Sequence, residues 1–233
     1  MKTIGEGENR AAHAALMDKV YRRQRHFYDL TRKYYLLGRD RLVGQLNARP
    51  GERVIEIGCG TARNLIRIAE IYPGTKLFGL DASAEMLRTA NEAVARAGLS
   101  DRIALKQALA EELTPNLFGS EQKFDHAIFS YSLSMIPDWR AALLAAANAV
   151  RTGGVIHVVD FGDLRSLWPV AANTLRAWLR LFHVAPRDEL LTRLEAGSRR
   201  PGCALHLLPG RYAFVLKASP DAIADMTTPS PQP

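Results

Sequence analysis

The chain has 233 residues, 47% of them hydrophobic and 24% charged, a balance that excludes a mostly disordered or collagen-like polymer and suffices for one large domain with its own core. Two cysteines, Cys59 and Cys203, lack metal-ligand spacing and read as reduced thiols, so neither a disulfide framework nor a metal site is expected. The net charge of +7 is unevenly placed: residues 1–53 hold twelve Lys/Arg against six Asp/Glu, while 54–233 hold nineteen against eighteen.

From Ala11 to Leu46 the spacing predicts helix, with Leu16, Val20, Phe27, Tyr34 and Leu37 recurring on one side of a basic surface. Arg49-Pro50-Gly51 ends it. A strand follows at 54–57, then helix 63–71, strand 76–80, helix 83–97, strand 102–107, strand 124–129, helix 138–151, a stop at Gly153-Gly154 and strand 155–159. Strands alternating with helices imply right-handed crossovers and a parallel sheet covered on both faces. Helices at 167–183 and 187–196 come next, and two short apolar runs around Pro209-Gly210 predict a closing antiparallel hairpin. The expected fold is a doubly wound, mostly parallel seven-stranded α/β sheet with an N-terminal helical cap at 1–50 and the main domain at 51–217. Residues 218–233, rich in proline, read as a disordered tail. No secretory leader and no membrane-spanning run is recognised, so a cytoplasmic, peripherally membrane-associated protein is expected.

Val54-Ile-Glu-Ile-Gly-Cys-Gly-Thr-Ala62 lies where the first strand turns into the first helix. Gly58 and Gly60 let backbone approach a ligand at the carboxyl end of the strand, where doubly wound folds bind nucleotides. A dinucleotide fingerprint would need glycine at 63, occupied here by Arg63. Glu56, two positions before the first glycine, suits a cationic or hydroxyl-bearing ligand better than a pyrophosphate. Asp81 ends the second strand 21 positions after Gly60, the place of a ribose-chelating acid, and also reads as a helix N-cap shared with Ser83.

These residues resemble the [DE]-x-G-x-G-x-[GA] segment of the class I S-adenosylmethionine-dependent methyltransferases, with Ala62 at the third glycine, where its methyl would narrow the space beside the methionine. The resemblance implies S-adenosylmethionine as cofactor, with the Gly58-Cys59-Gly60 loop, Glu56 and Asp81 holding it. Ala82 and Met86 belong to a D-x-S-x-x-M-L stretch placed near the adenine or ribose. Leu109 replaces an adenine-binding aspartate, leaving backbone groups of Leu109 and Ala110 and apolar packing. Ser130 falls in the segment beside the methionine. N-P-P-Y is absent after the fourth strand, which weighs against methylation of base amines or glutamine.

The donor is already activated in such chemistry, so alignment and a deprotonated nucleophile are what the protein must supply. An apolar pocket keeps an amine neutral, and aromatic faces hold the cation that methylation makes. Tyr28 and Tyr131 are the candidate catalytic wall, and Asp29, His157 and Asp160 are candidate proton acceptors. The stretch 19–41 mixes eight basic residues with tyrosine and leucine, a composition suited to an anionic bilayer; 167–182 adds tryptophan and arginine, an interfacial pairing. The blocks Tyr28–Leu42 and Tyr131–Trp139 resemble the betaine-lipid N-methyltransferases, which methylate diacylglyceryl homoserine three times. That resemblance implies a lipid head-group amine as acceptor, an anionic membrane surface as partner, and acceptor or surface contacts at Arg22, Arg25, Arg32, Lys33, Tyr34, Arg39 and Trp178. A phosphatidylethanolamine N-methyltransferase would share all these features, a quinone-ring methyltransferase would not need the basic block, and a cofactor-sensing nucleic-acid-binding protein would put that block on phosphates.

Overall fold

The computed structural model describes residues 36–181, 188–198 and 201–227. Its centre is one seven-stranded sheet of order β3-β2-β1-β4-β5-β7-β6, formed by β1 (Arg53–Ile57), β2 (Lys76–Asp81), β3 (Ile103–Gln107), β4 (Phe124–Ser130), β5 (Val150–Phe161), β6 (Cys203–Leu207) and β7 (Ala213–Ala218). The first five strands are parallel and β7 runs antiparallel between β5 and β6, as the alternating pattern and the Pro209-Gly210 turn predict. Both faces of the sheet are covered, which is why the central strands are continuously apolar. Ile55, Ile57, Phe129 and Val158 belong to one core layer, and Val54, Ile128 and Val159 to the other.

The covering helices are α1 (Arg39–Gly44), α2 (Arg63–Ile71), α3 (Ala84–Arg96), α4 (Trp139–Ala149), α5 (Pro169–Leu181), α6 (Asp188–Gly197) and α7 (Pro220–Thr227). Ser83 caps α3, its hydroxyl accepting from the Met86 amide at 3.2 Å. Arg211 in the β6–β7 turn donates to both carboxylate oxygens of Asp163 at 2.7 Å and to Glu195 at 2.7 Å, fastening α6 and the turn to the end of β5.

Three expectations need correction. Residues 220–227 form α7, not a disordered tail: α7 packs on the alanine-rich α4, Ile223 and Met226 are buried, and Met226 lies against Gly197 of α6, where there is no side chain to displace. Helix is not continuous over the described part of 11–46, because Gly38 adopts a left-handed conformation at φ +85° and only 39–44 is α-helical. Gly153-Gly154 does not separate helix from strand but forms a bulge inside β5, whose pairing jumps from Phe124↔Val150 to His126↔Val155.

Near the start of β4, His126 Nδ1 lies 3.3 Å from His157 Nε2, and His126 Nε2 lies 3.1 Å from Glu52. With both rings neutral, His157 Nε2–H donates to His126 Nδ1, and His126 Nε2–H donates to Glu52. Burial pushes His157 down to about 3, with His126 and Lys217 acting the same way, and burial also lowers His126 against the opposing pull of Glu52 and Asp125. A depressed folded-state value means that the unfolded chain takes up the proton first, so this contribution to stability falls as pH drops below about 6.5. Asp160, raised to about 6 by burial, acts in the opposite sense. Urea unfolding of the wild type and His157→Leu should therefore isolate a loss of about 2 kcal/mol between pH 7 and pH 5 in the wild type relative to the variant; parallel pH profiles would refute it. Independently, Ile223→Ala should cost about 2–4 kcal/mol by the same measurement, whereas a disordered tail would give no change.

Candidate active site

Ile57 pairs with Leu80 on one side and Phe129 on the other, so β1, β2 and β4 end level. The strand order reverses between β1 and β4, which opens a crevice at their carboxyl ends. Gly58, at φ +72°, begins the loop there. A Cβ on it would sit 2.6 Å from Ser132 Cβ, so the loops after β1 and β4 meet only because residue 58 has no side chain. The Gly58 and Cys59 amides both donate to the Leu80 carbonyl, at 2.8 and 3.1 Å, and the Gly60 amide donates to Asp81 Oδ2 at 2.8 Å. Asp81 Oδ1 accepts from the Ser83 amide at 2.9 Å.

A cleft of about 620 Å³ follows, lined on one side by Gly58, Gly60, Leu80, Asp81 and Ala82. Its other side is built from Leu109, Ala110, Glu111, Tyr131, Met135 and Ile136. A second, polar recess of about 420 Å³ shares Gly58 and is lined by Leu36, Arg39, Glu56, Cys59, Asn64 and Ser130, with Thr61 and Arg63 at its edge. Glu56 is buried and Oε1 accepts from Asn64 at 2.6 Å. The Ser130 hydroxyl is buried and makes no hydrogen bond among the described residues.

Gly58, Gly60, Asp81, Ala82, Leu109, Ala110 and Tyr131 thus converge on the cleft, and Glu56, Cys59, Ser130 and Arg39 on the recess. Met86 does not line either; it is buried in the first turn of α3. Ala62 is buried in the core at φ +59°, so its methyl strains the backbone rather than narrowing the cleft. The Leu109 amide donates to Glu112 at 3.0 Å, which leaves Leu109 to offer apolar contact. Cys59 turns its sulfur toward Gly79, and burial, reinforced by Asp81 and Glu56, pushes the thiol well up.

The Tyr131 hydroxyl donates to the Leu37 carbonyl, and burial raises the phenol, with Tyr212 and Asp160 adding to it, so the phenol that lines the cleft stays protonated. His157 packs against His126 and lines neither the cleft nor the recess. Asp160 is buried beneath the loop after β4, where it accepts from the Ser134 and Phe161 amides at 3.0 and 2.7 Å, and does not line the cleft. Tyr28, Asp29, Arg22, Arg25, Arg32, Lys33 and Tyr34 lie outside the described residues. Trp178 belongs to α5, but its side chain is outside the described set. Residue type alone does not mark out Ser132, Met135, Ile136, Glu111 or Asn64; their positions after strand ends, or in the first turn of α2 for Asn64, are the available signal.

A glycine cradle that a Cβ would fill, a buried hydroxyl facing a polar recess, and acids on both strand ends fit S-adenosylmethionine. The fold and site define a class I S-adenosylmethionine-dependent methyltransferase. The chain belongs to the methyltransferase-domain family, whose model matches residues 48–195. It is 32% identical over 122 residues to 27-O-demethylrifamycin SV methyltransferase of Amycolatopsis mediterranei, covering 52% of this chain and 43% of that protein. It is 28% identical over 193 residues to the ubiquinone/menaquinone biosynthesis C-methyltransferase of Syntrophotalea carbinolica, covering 81% and 77%. The match to the first thus spans less than half of that relative's length. The apo structure of the S-adenosylmethionine-dependent methyltransferase SibL shares the fold with a TM-score of 0.59 and 21% identity, covering 85% of this chain and 57% of that one.

Because Asp81 both lines the cleft and holds the loop, Asp81→Asn should weaken S-adenosylhomocysteine about tenfold or more in calorimetry while the protein stays folded. Unchanged affinity would restrict the carboxylate to holding the loop.

Proposed function

We propose that this enzyme methylates the head-group amine of a lipid, with diacylglyceryl homoserine as acceptor and its N,N,N-trimethyl betaine as product after three rounds. The observation that carries the reading is the Tyr131–Leu37 hydrogen bond. The two blocks whose sequences resemble the betaine-lipid N-methyltransferases, 28–42 and 131–139, are joined by it at the mouth of the cofactor cleft. Exposed Leu37, Trp168 (84% exposed) and Val170 give the described surface an apolar component suited to lipid. No helix among the described residues is long and apolar enough to cross a membrane, so the proposed contact with an anionic surface is peripheral and uses the basic stretch 19–41.

Bound S-adenosylmethionine would supply a methyl group on a sulfonium, already activated toward displacement. The residues of the chain hold and align it. Asp81 would take the ribose hydroxyls, Leu80, Leu109 and Ile136 would flank the adenine, and Glu111 offers a carboxylate near the place where Leu109 lacks one. Glu56, Ser130 and the 58–60 backbone would hold the amino-acid end. Met135, Ile136 and the Tyr131 ring exclude water, which favours the neutral amine over the ammonium. The aromatic face then accommodates the growing cation. The names of the curated relatives favour a second reading, ring methylation of a quinol.

The deciding experiment supplies labelled cofactor with diacylglyceryl homoserine, phosphatidylethanolamine or a demethylmenaquinol, each in anionic and neutral vesicles. The expected result is mono-, di- and trimethylated homoserine lipid, faster on anionic vesicles. Turnover of only the ethanolamine lipid or only the quinol would overturn the acceptor, and equal rates on both vesicle types would overturn the surface contact.

A further inference from the structure

We infer that Asp160, near the end of β5, is a positioning residue for methyl transfer: its carboxylate seats the turn 132–136, whose Met135 and Ile136 form part of one wall of the cleft. The inference rests on methyl transfer as the reaction and is independent of which acceptor is methylated. Asp160 does not line the cleft, so it acts through the wall and not on a proton of the acceptor, the role its sequence position suggests.

The chain that leaves β4 carries serines at 130, 132 and 134, all of them buried, so its polar groups must find partners inside the protein. It departs by a single tight turn, in which the Ser132 carbonyl accepts from the Met135 and Ile136 amides at 3.0 and 3.1 Å. The first amides of such a turn have no partner within it and need a cap. Ser132 is the local candidate, but its hydroxyl is spent on the Ile57 carbonyl at 2.8 Å. The cap comes instead from Asp160, 26 positions away, whose Oδ2 accepts from the Ser134 amide at 3.0 Å while Oδ1 accepts from its neighbour Phe161 at 2.7 Å.

The turn is thereby pinned twice, to β1 by Ser132 and to β5 by Asp160. Asp160 is 1% exposed, and burial raises its carboxyl to about 6 against the opposing pull of the Ser134 and Phe161 amides. An apolar residue of similar size would complete the sheet with less desolvation. The carboxylate bonds to the turn and to Phe161, so the wall is what its charge secures. Tyr131, Ser132, Met135 and Ile136 line the cleft opposite Gly60 and Asp81. Displacement at a sulfonium needs donor and nucleophile in line, and a misplacement of about 1 Å can cost about 10²-fold in rate. Gly58, Cys59 and Gly60 are held by their own bonds to β2, so a shifted wall disturbs alignment more than it disturbs cofactor binding.

The test is Asp160→Asn, which keeps the shape of the side chain but turns an N–H toward one of the two backbone donors. At saturating S-adenosylmethionine, with whichever of the three candidate acceptors turns over, kcat should fall about tenfold or more while S-adenosylhomocysteine affinity in calorimetry stays within about threefold. Hydrogen exchange supplies a readout that needs no acceptor: amides of 131–136 should exchange faster in the variant and those of 56–62 should not. Ser132→Ala releases the other anchor and should lower kcat in the same sense, which decides the matter where Asp160→Asn does not fold. An unchanged kcat, or a kcat lost in step with S-adenosylhomocysteine affinity, would make Asp160 a structural residue and overturn the inference. Equal exchange of 131–136 in the two proteins would do the same. Failure of the homoserine lipid alone would sink the proposed function and leave this comparison untouched.

Discussion

The 2.8 Å hydrogen bond from the Gly60 amide to Asp81 ties the end of β1 to the end of β2 across the mouth of the sheet, and the shape of the site depends on it. Together with the Gly58 and Cys59 amides, which both point at the Leu80 carbonyl, it commits three successive backbone donors to the neighbouring strand. A phosphate-binding loop works the other way, aiming free N–H groups at the anion. This loop is therefore closed to a pyrophosphate by its own hydrogen bonding, and Glu56 and Asp81 flank it with carboxylates. A nucleoside ligand without phosphate, carrying positive charge and hydroxyls, is the kind that such a loop accepts.

The second constraint is the strained segment facing that loop. Tyr131 has φ +56°, a left-handed conformation that costs a bulky residue about 1–2 kcal/mol. Three contacts over-determine it: its amide donates to Val159 at 2.7 Å, its hydroxyl to Leu37, and its ring meets Phe161 edge to face at 4.7 Å. Asp160 adds a fourth support from beneath by accepting the Ser134 amide. The chain before α1 is thereby coupled to the wall of the cleft, so the position of Arg39 and the shape of the cofactor cavity are set by the same few bonds.

The sheet was legible because parallel strands buried on both faces leave short apolar runs such as Val54–Ile57, separated by helices with clear periodicity. The strand-end residues Gly58, Gly60 and Asp81 were legible for the same reason: topology puts those positions at the crevice whatever surrounds them. Gly38 was harder, because Leu36, Leu37, Leu42 and Leu46 keep an apolar rhythm whether the chain is helical or lies on the sheet, and only the conformation of one glycine separates the two. The helix at 220–227 is masked by Pro220 at its start and the three prolines that follow it, since its partner face on α4 is read from a distant part of the chain. The Tyr131–Leu37 bond spans 94 positions and ends on a backbone carbonyl, so no residue type at 37 announces it.

The charge pattern also changes meaning once burial is known. Arg39 and Arg53 are both counted in the basic first 53 residues, yet both are buried. Arg53 stacks its guanidinium 4.4 Å from the Phe78 ring and 5.3 Å from Phe124, and burial lowers its pKa despite the nearby Asp125. These two cations act inside the molecule, one beside the cofactor recess and one under the sheet, where an anionic surface cannot reach them. A net charge summed along the segment thus overstates what a bilayer would feel. The electrostatic argument for a membrane surface rests on the other basic residues of 19–41, including the exposed Arg41.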